Sequence, residues 1–197
     1  MSMKYFCLFL ATILLLSCKN GAPKNSKPSS MSREASNKGW DSYYDGNFQE
    51  ALKYFNQALN LDSTNANGYW GIGAITGEKD DFDKSIPLLL EAIKYDSLNG
   101  RIHADLAFTI TGKATVNNDQ ILYNKADSLF VKASRISPDT GYIYFQWAEL
   151  KYFQENYFEA WKLVDIAALK GYTNQNSKFI TDLESKMHNP NQINEHK

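Results

Sequence analysis

Histidine, cysteine and clustered carboxylates are the side chains that would carry acid–base, nucleophilic or metal chemistry, and this sequence holds few of them in usable arrangements. The three histidines are His103, His188 and His196, and no pair stands at metal-ligand spacing. His103 falls in an apolar stretch and reads as a packing histidine. Asp80, Asp81 and Asp83 could offer oxygen ligands to a hard cation. They also open a helix-like segment, where carboxylates complement the helix dipole, and that is the reading adopted. Neither a nucleophile elbow nor a glycine-rich phosphate loop is present. The only cysteines are Cys7 and Cys18, so a disulfide framework is excluded. The expectation is a protein that is not an enzyme and that needs no metal or cofactor.

Cys18 has a different use. Met1 to Lys4 is a short basic start, and Tyr5 to Leu16 is an apolar run, too short for the ~20 residues that span a bilayer. It reads as a signal peptide over 1–17. The run ends in Leu15-Leu16-Ser17-Cys18, which resembles the bacterial lipobox. The resemblance implies that Cys18 becomes the first residue and is lipidated, which would tether the chain to a membrane through acyl chains rather than a spanning helix. Residues 18–31 then contain Lys19, Lys24 and Lys27 and no acid, the composition of a flexible tether. Lys19, in place of a retention Asp, implies an outer-membrane address. The absence of an acidic export signal in Lys19-Asn20-Gly21-Ala22 favours the periplasmic face.

The rest of the chain is built to fold. Hydrophobic residues make up 43% and aromatics 14%, enough for a packed interior with rings left over. Of the 21 basic residues, 17 lie from Ser32 onward, against all 22 acidic ones. The folded body therefore carries about five net negative charges, which disfavours nucleic acid as a partner.

What positions these side chains is a repeat. Gly39 recurs as Gly73, Phe48 as Phe82, Ala51 as Ser85, Phe55 as Leu89, Ala58 as Ala92, and Asp62-Ser63 as Asp96-Ser97. Each pair is 34 residues apart. Small and aromatic residues at i, i+4 and i+7 mark one helix face, and the pattern with its period resembles the tetratricopeptide repeat (TPR). That resemblance implies an all-α fold, a right-handed TPR α-solenoid of about four helix-turn-helix repeats plus a C-terminal capping helix. The repeats are expected at 32–65, 66–99, 100–140 and 141–174, with the cap at 175–189 and a polar tail at 190–197. A helix is expected from Ser32, with Ser32 in the capping role. Pro87 predicts a slight kink. In the third repeat the register slips, and seven extra residues are placed in a loop from Gly112 to Asn118, with Asp119 capping the helix after it. Gly171 reads as a left-handed helix end.

The resemblance also implies where a partner would bind. In the family, the first helix of each repeat lines the concave surface. Carried over, the groove positions are Arg33, Trp40, Tyr43 and Tyr44, then Asn67, Trp70 and Glu78. From the later repeats come Arg101, Asp105, Phe108, Tyr142, Phe145, Gln146, Glu149, Tyr152 and Phe153. Trp40, Trp70, Phe108, Phe145 and Tyr152 are expected to be partly exposed and to act as binding anchors. The implied role is a membrane-anchored scaffold that holds a protein or peptide segment. Exposed rings also stack on sugars, so a glycan partner, such as peptidoglycan, is the alternative. Arg101 alone matches the Lys, Asn and Arg set by which chaperone-binding relatives grip a terminal carboxylate, so that specialisation is rejected.

Overall fold

The structure is a computed structural model that describes residues 28–172 and 178–190. Cys7, Cys18, the signal segment, most of the tether and the tail beyond residue 190 lie outside the described residues. Nine helices and no strand occur among the described residues: α1 Ser30–Tyr44, α2 Phe48–Leu61, α3 Ala66–Glu78, α4 Phe82–Tyr95, α5 Gly100–Asn117, α6 Gln120–Ile136, α7 Gly141–Phe153, α8 Tyr157–Leu169 and α9 Lys178–Lys186.

Helices pack as consecutive hairpins, α1 with α2, α3 with α4, α5 with α6 and α7 with α8. Each hairpin then stacks on the next through both of its helices, which is the architecture of a solenoid. The second helices carry the packing signature of the sequence. Ala51, Phe55 and Ala58 on α2, Leu89 and Ala92 on α4, and Ala126, Phe130 and Ala133 on α6 are all fully buried. The ring of Phe55 fills the space left by two glycines. A Cβ on Gly39 would lie 2.6 Å from that ring, and one on Gly71 would lie 2.2 Å from it. Both positions exclude any side chain, which lets α1, α2 and α3 close on one aromatic residue.

The hairpin turns share a backbone device. Gly46, Asp80, Asn118 and Glu155 each have positive φ, at 76°, 60°, 50° and 59°. One left-handed residue therefore reverses the chain in every repeat, and only the first is glycine. Side-chain caps hold most helix starts. Asn65 accepts from Gly68 N, Asn99 from Arg101 N, and Asp119 from Ile121 N and Leu122 N.

Two local expectations are corrected. Helix α1 starts at Ser30, and its cap is Ser29, which accepts from Ser32 N. Ser32 is instead a buried bridge whose Oγ donates to Ala58 O at 2.8 Å. The residues from Gly112 onward form no loop: α5 runs on to Asn117 and spans 18 residues, against 13 in α3. Ala114 is fully buried there, and Tyr123 of α6 donates to Thr115 Oγ1 at 3.0 Å. The extra residues therefore lengthen both helices of the third hairpin against each other. Pro87 lies inside α4, which continues through it to Tyr95.

His103 is a core residue, 1% exposed, with Nε2 3.1 Å from Ser97 O. Gly171 takes φ 79° just after α8, as a left-handed helix end requires. Helix α9 then covers the last hairpin. Leu183 is fully buried, and Trp161 Nε1 donates to Met187 O at 2.7 Å.

Candidate functional site

The first helices of the hairpins, α1, α3, α5 and α7, touch one another in sequence and make one continuous face. At its centre stands Asp105 of α5. Trp70 Nε1 of α3 donates to Asp105 Oδ2 at 2.5 Å, and Tyr142 Oη of α7 donates to Oδ1 at 2.9 Å. Gln146 Nε2 reaches Oδ1 at 3.3 Å and the Tyr142 hydroxyl oxygen at 2.6 Å. One carboxylate thus ties three repeats together. Burial pushes the Asp105 carboxyl above its ordinary range. The Trp70 and Tyr142 hydrogen bonds, the Arg101 guanidinium and the Gln146 amide pull it back.

Arg101, one turn before Asp105, lies over two of the same rings, 5.6 Å from the Trp70 centroid and 5.0 Å from that of Tyr142. Its guanidinium also donates to Tyr44 Oη at 3.2 Å. Around the first two repeats the aromatic residues form a cluster. Trp40 lies 4.5 Å from Trp70, 5.1 Å from Phe55 and 6.0 Å from Tyr44, centroid to centroid. Tyr43 donates to Glu78 Oε1, joining the ends of α1 and α3.

Beside this network is an open cavity of about 420 Å³. Of the positions read from the sequence, Tyr43, Glu78, Asp105, Phe108, Tyr142, Gln146 and Phe153 line it. Phe108 is 38% exposed and Phe153 42%. Tyr44 is 64% exposed, and Trp40, Asn67, Glu149 and Tyr152 are half-buried. Arg33 is exposed at the start of α1 and is not among the residues lining the cavity. Glu149 lies one turn along α7 from Gln146, and burial alone pushes its carboxyl up to about 7.

Two expected anchors are corrected. Trp70 is 7% exposed and Phe145 is 6% exposed, so both are core residues rather than partly open rings. Trp70 is enclosed by Trp40, Arg101 and Asp105. Phe145 is covered by Tyr172 at 5.1 Å and by Phe179 of α9 at 5.4 Å. Gln146, at 6%, is buried with them.

Some lining residues were not read from the sequence as part of a groove. Phe82 from the start of α4, and Thr109, Thr111 and Gly112 from α5, reach the cavity as well. Phe82 was legible only as the repeat of Phe48. Thr111 and Gly112 reach it because their segment is helical. Among the described residues, no three His, Cys, Asp or Glu side chains are placed to hold a metal ion. Asp81 lies 3.8 Å from Lys84, and Asp83 pairs with Lys113 at 2.6 Å.

Residues 33–65 match the family model of the tetratricopeptide repeat. A thermophilic TPR protein of Thermus thermophilus superposes with a TM-score of 0.72 at 12% identity, over 80% of this chain and 84% of that one. This is a tetratricopeptide-repeat fold. A Pseudomonas aeruginosa pilF structure aligns over 82% of this chain and 86% of its own at 15% identity, but its TM-score of 0.38 adds no support. No curated protein matches the chain in sequence. In the TPR solenoid described above, the face made by α1, α3, α5 and α7 is the surface that bears the cavity. Such domains generally serve as protein-binding scaffolds.

Proposed function

We propose that this chain is a non-catalytic TPR adaptor of the bacterial envelope, lipid-anchored at Cys18, that holds a segment of a partner protein in the cavity beside Asp105. The observation that carries the binding reading is the pairing of an open cavity with exposed rings. Phe108 and Phe153 line it from α5 and α7, on a base fixed by the Asp105 network. Aromatic residues held rigidly and left accessible are the side chains from which protein-binding hot spots are made. The anchoring reading rests on Leu15-Leu16-Ser17-Cys18, and the outer-membrane, periplasm-facing address rests on Lys19. No described helix is long and apolar enough to cross a membrane, and acylation is the attachment this reading requires.

Two measurements test it. Cys18→Ala is expected to abolish palmitate labelling and release the protein from membranes; label retained in that variant overturns the anchor. A photo-crosslinking amino acid placed at Phe108 in cells is expected to trap a protein, while one at Leu90, exposed on α4 away from the cavity, is not. Equal trapping at both positions, or capture of peptidoglycan fragments in place of protein, overturns the protein-groove reading.

A further inference from the structure

The cavity has a charge character that its shape alone does not require. Three of its lining residues are acids, Glu78, Asp80 and Asp105, and none is lysine, arginine or histidine. Its floor holds an acceptor without a donor. Gln146 uses Nε2 on Asp105 and Tyr142, which fixes the orientation of its amide. That leaves Oε1, on a side chain only 6% exposed and lining the cavity, without a hydrogen bond. A buried acceptor left unpaired costs free energy until a donor arrives.

The backbone adds to this. Tyr43 is the penultimate residue of α1, Glu78 is the last residue of α3, and Phe153 is the last of α7. Three helix C-termini and one N-terminus, that of α4 at Phe82, therefore meet at the cavity. Since the partial charge of a helix end acts within its terminal turn, the negative ends outnumber the positive one. The walls between these groups are aromatic: Tyr43, Phe82, Phe108, Tyr142 and Phe153. Two cations nearby already have partners, and Lys79, between Glu78 and Asp80 in sequence, does not line the cavity. Arg101 lies over Trp70 and Tyr142 with a hydrogen bond to Tyr44, and Lys113 is tied to Asp83 at 2.6 Å.

We infer that this cavity recognises a basic protein segment, receiving a lysine or arginine side chain among the acids and the aromatic walls. Such a side chain suits the site in both of its parts. Its aliphatic stem packs on rings, and its head supplies a donor to Gln146 Oε1 and a counter-charge to the lining carboxylates. A cation over ring faces gains further from the ring quadrupoles. A terminal carboxylate or an acidic segment would meet the like charge of the lining acids. A neutral sugar would bring no counter-charge to the lining acids. The inference rests on the groove reading given above and names the chemistry of its occupant.

A selection of random heptapeptides on the full chain tests it, followed by affinity measurement on three proteins. Glu78→Gln with Asp80→Asn removes two charges with near-isosteric groups, and asparagine tolerates the positive φ of position 80. Phe108→Ala with Phe153→Ala removes the exposed rings. The expected result is enrichment of lysine and arginine in the selected peptides, with affinity at least tenfold weaker for each double variant than for the native chain. Selected peptides that are neutral or acidic, or that bind the charge variant unchanged while still needing the rings, overturn the charge inference and leave the groove reading standing. Peptides indifferent to both variants, or a selection that enriches no sequence, overturn the two together.

Discussion

Trp70 Nε1 and Asp105 Oδ2 meet at 2.5 Å, so a tryptophan of the second repeat is hydrogen-bonded to a carboxylate of the third. In a solenoid each repeat contacts only its neighbours, and stability is set largely by the interfaces between them. This bond lies at one such interface, and Tyr142 and Gln146 extend it to the next. Asp105→Ala would leave the Trp70 and Tyr142 donors without their acceptor, Gln146 Nε2 with the Tyr142 hydroxyl alone, and Arg101 without a nearby carboxylate. The expected loss is about 3 kcal/mol of stability, read as a lower urea midpoint. A variant as stable as the native chain would show that the network contributes nothing at this junction.

The aromatic residues of the groove divide by exposure, and their variants should divide in the same way. Trp70→Ala and Phe145→Ala remove core rings that are 7% and 6% exposed, and each is expected to cost about 3–5 kcal/mol. Phe108→Ala and Phe153→Ala remove rings at 38% and 42% exposure, and should stay within about 0.5 kcal/mol of native stability. Thermal melts of the four variants decide it. A large loss for Phe108→Ala would make that ring part of the core.

Glu149 gives the protein a pH dependence with a defined sign. Its carboxyl is pushed up to about 7 in the folded chain by burial, from 4.5 in its ordinary state. Between those values the folded chain binds more protons than the unfolded one, so this residue makes stability fall as pH rises from about 4.5 to 7. Glu149→Gln removes that loss. Above pH 7 the variant is expected to be more stable than the native chain by about 1–3 kcal/mol, with the gap closing toward pH 4.5. His103 acts in the opposite sense. Burial lowers its pKa from 6.5, which removes stability as pH falls below that value, so the comparison must be made at each pH against the native chain. A difference independent of pH would contradict the burial of Glu149 as an ionisable group.

The helix pairs were legible in the sequence because their cause is local and periodic. Ala51, Phe55 and Ala58 recur as Ser85, Leu89 and Ala92 after 34 residues, and a small-large-small face on a helix dictates close packing wherever it appears. Phe108 and Phe153 were placed at the groove by the resemblance to the tetratricopeptide repeat, whose concave-face positions were carried over onto this chain. Two things were decided only by tertiary contact. The seven extra residues of the third repeat read as a loop from Gly112 to Asn118 because the register slips there, and glycine costs a helix about 1 kcal/mol. Burial of Ala114 and the Tyr123 bond to Thr115 hold the segment helical nonetheless. The exposure of a ring is likewise set by what lands on it from elsewhere in the chain. Phe145 and Phe153 are both aromatic residues of α7, but Phe145 is covered by Tyr172 and Phe179, while Phe153 stays open at the cavity. A pattern of spacing fixes which way a side chain faces on its own helix. It carries no information about which distant residue will exclude water from it.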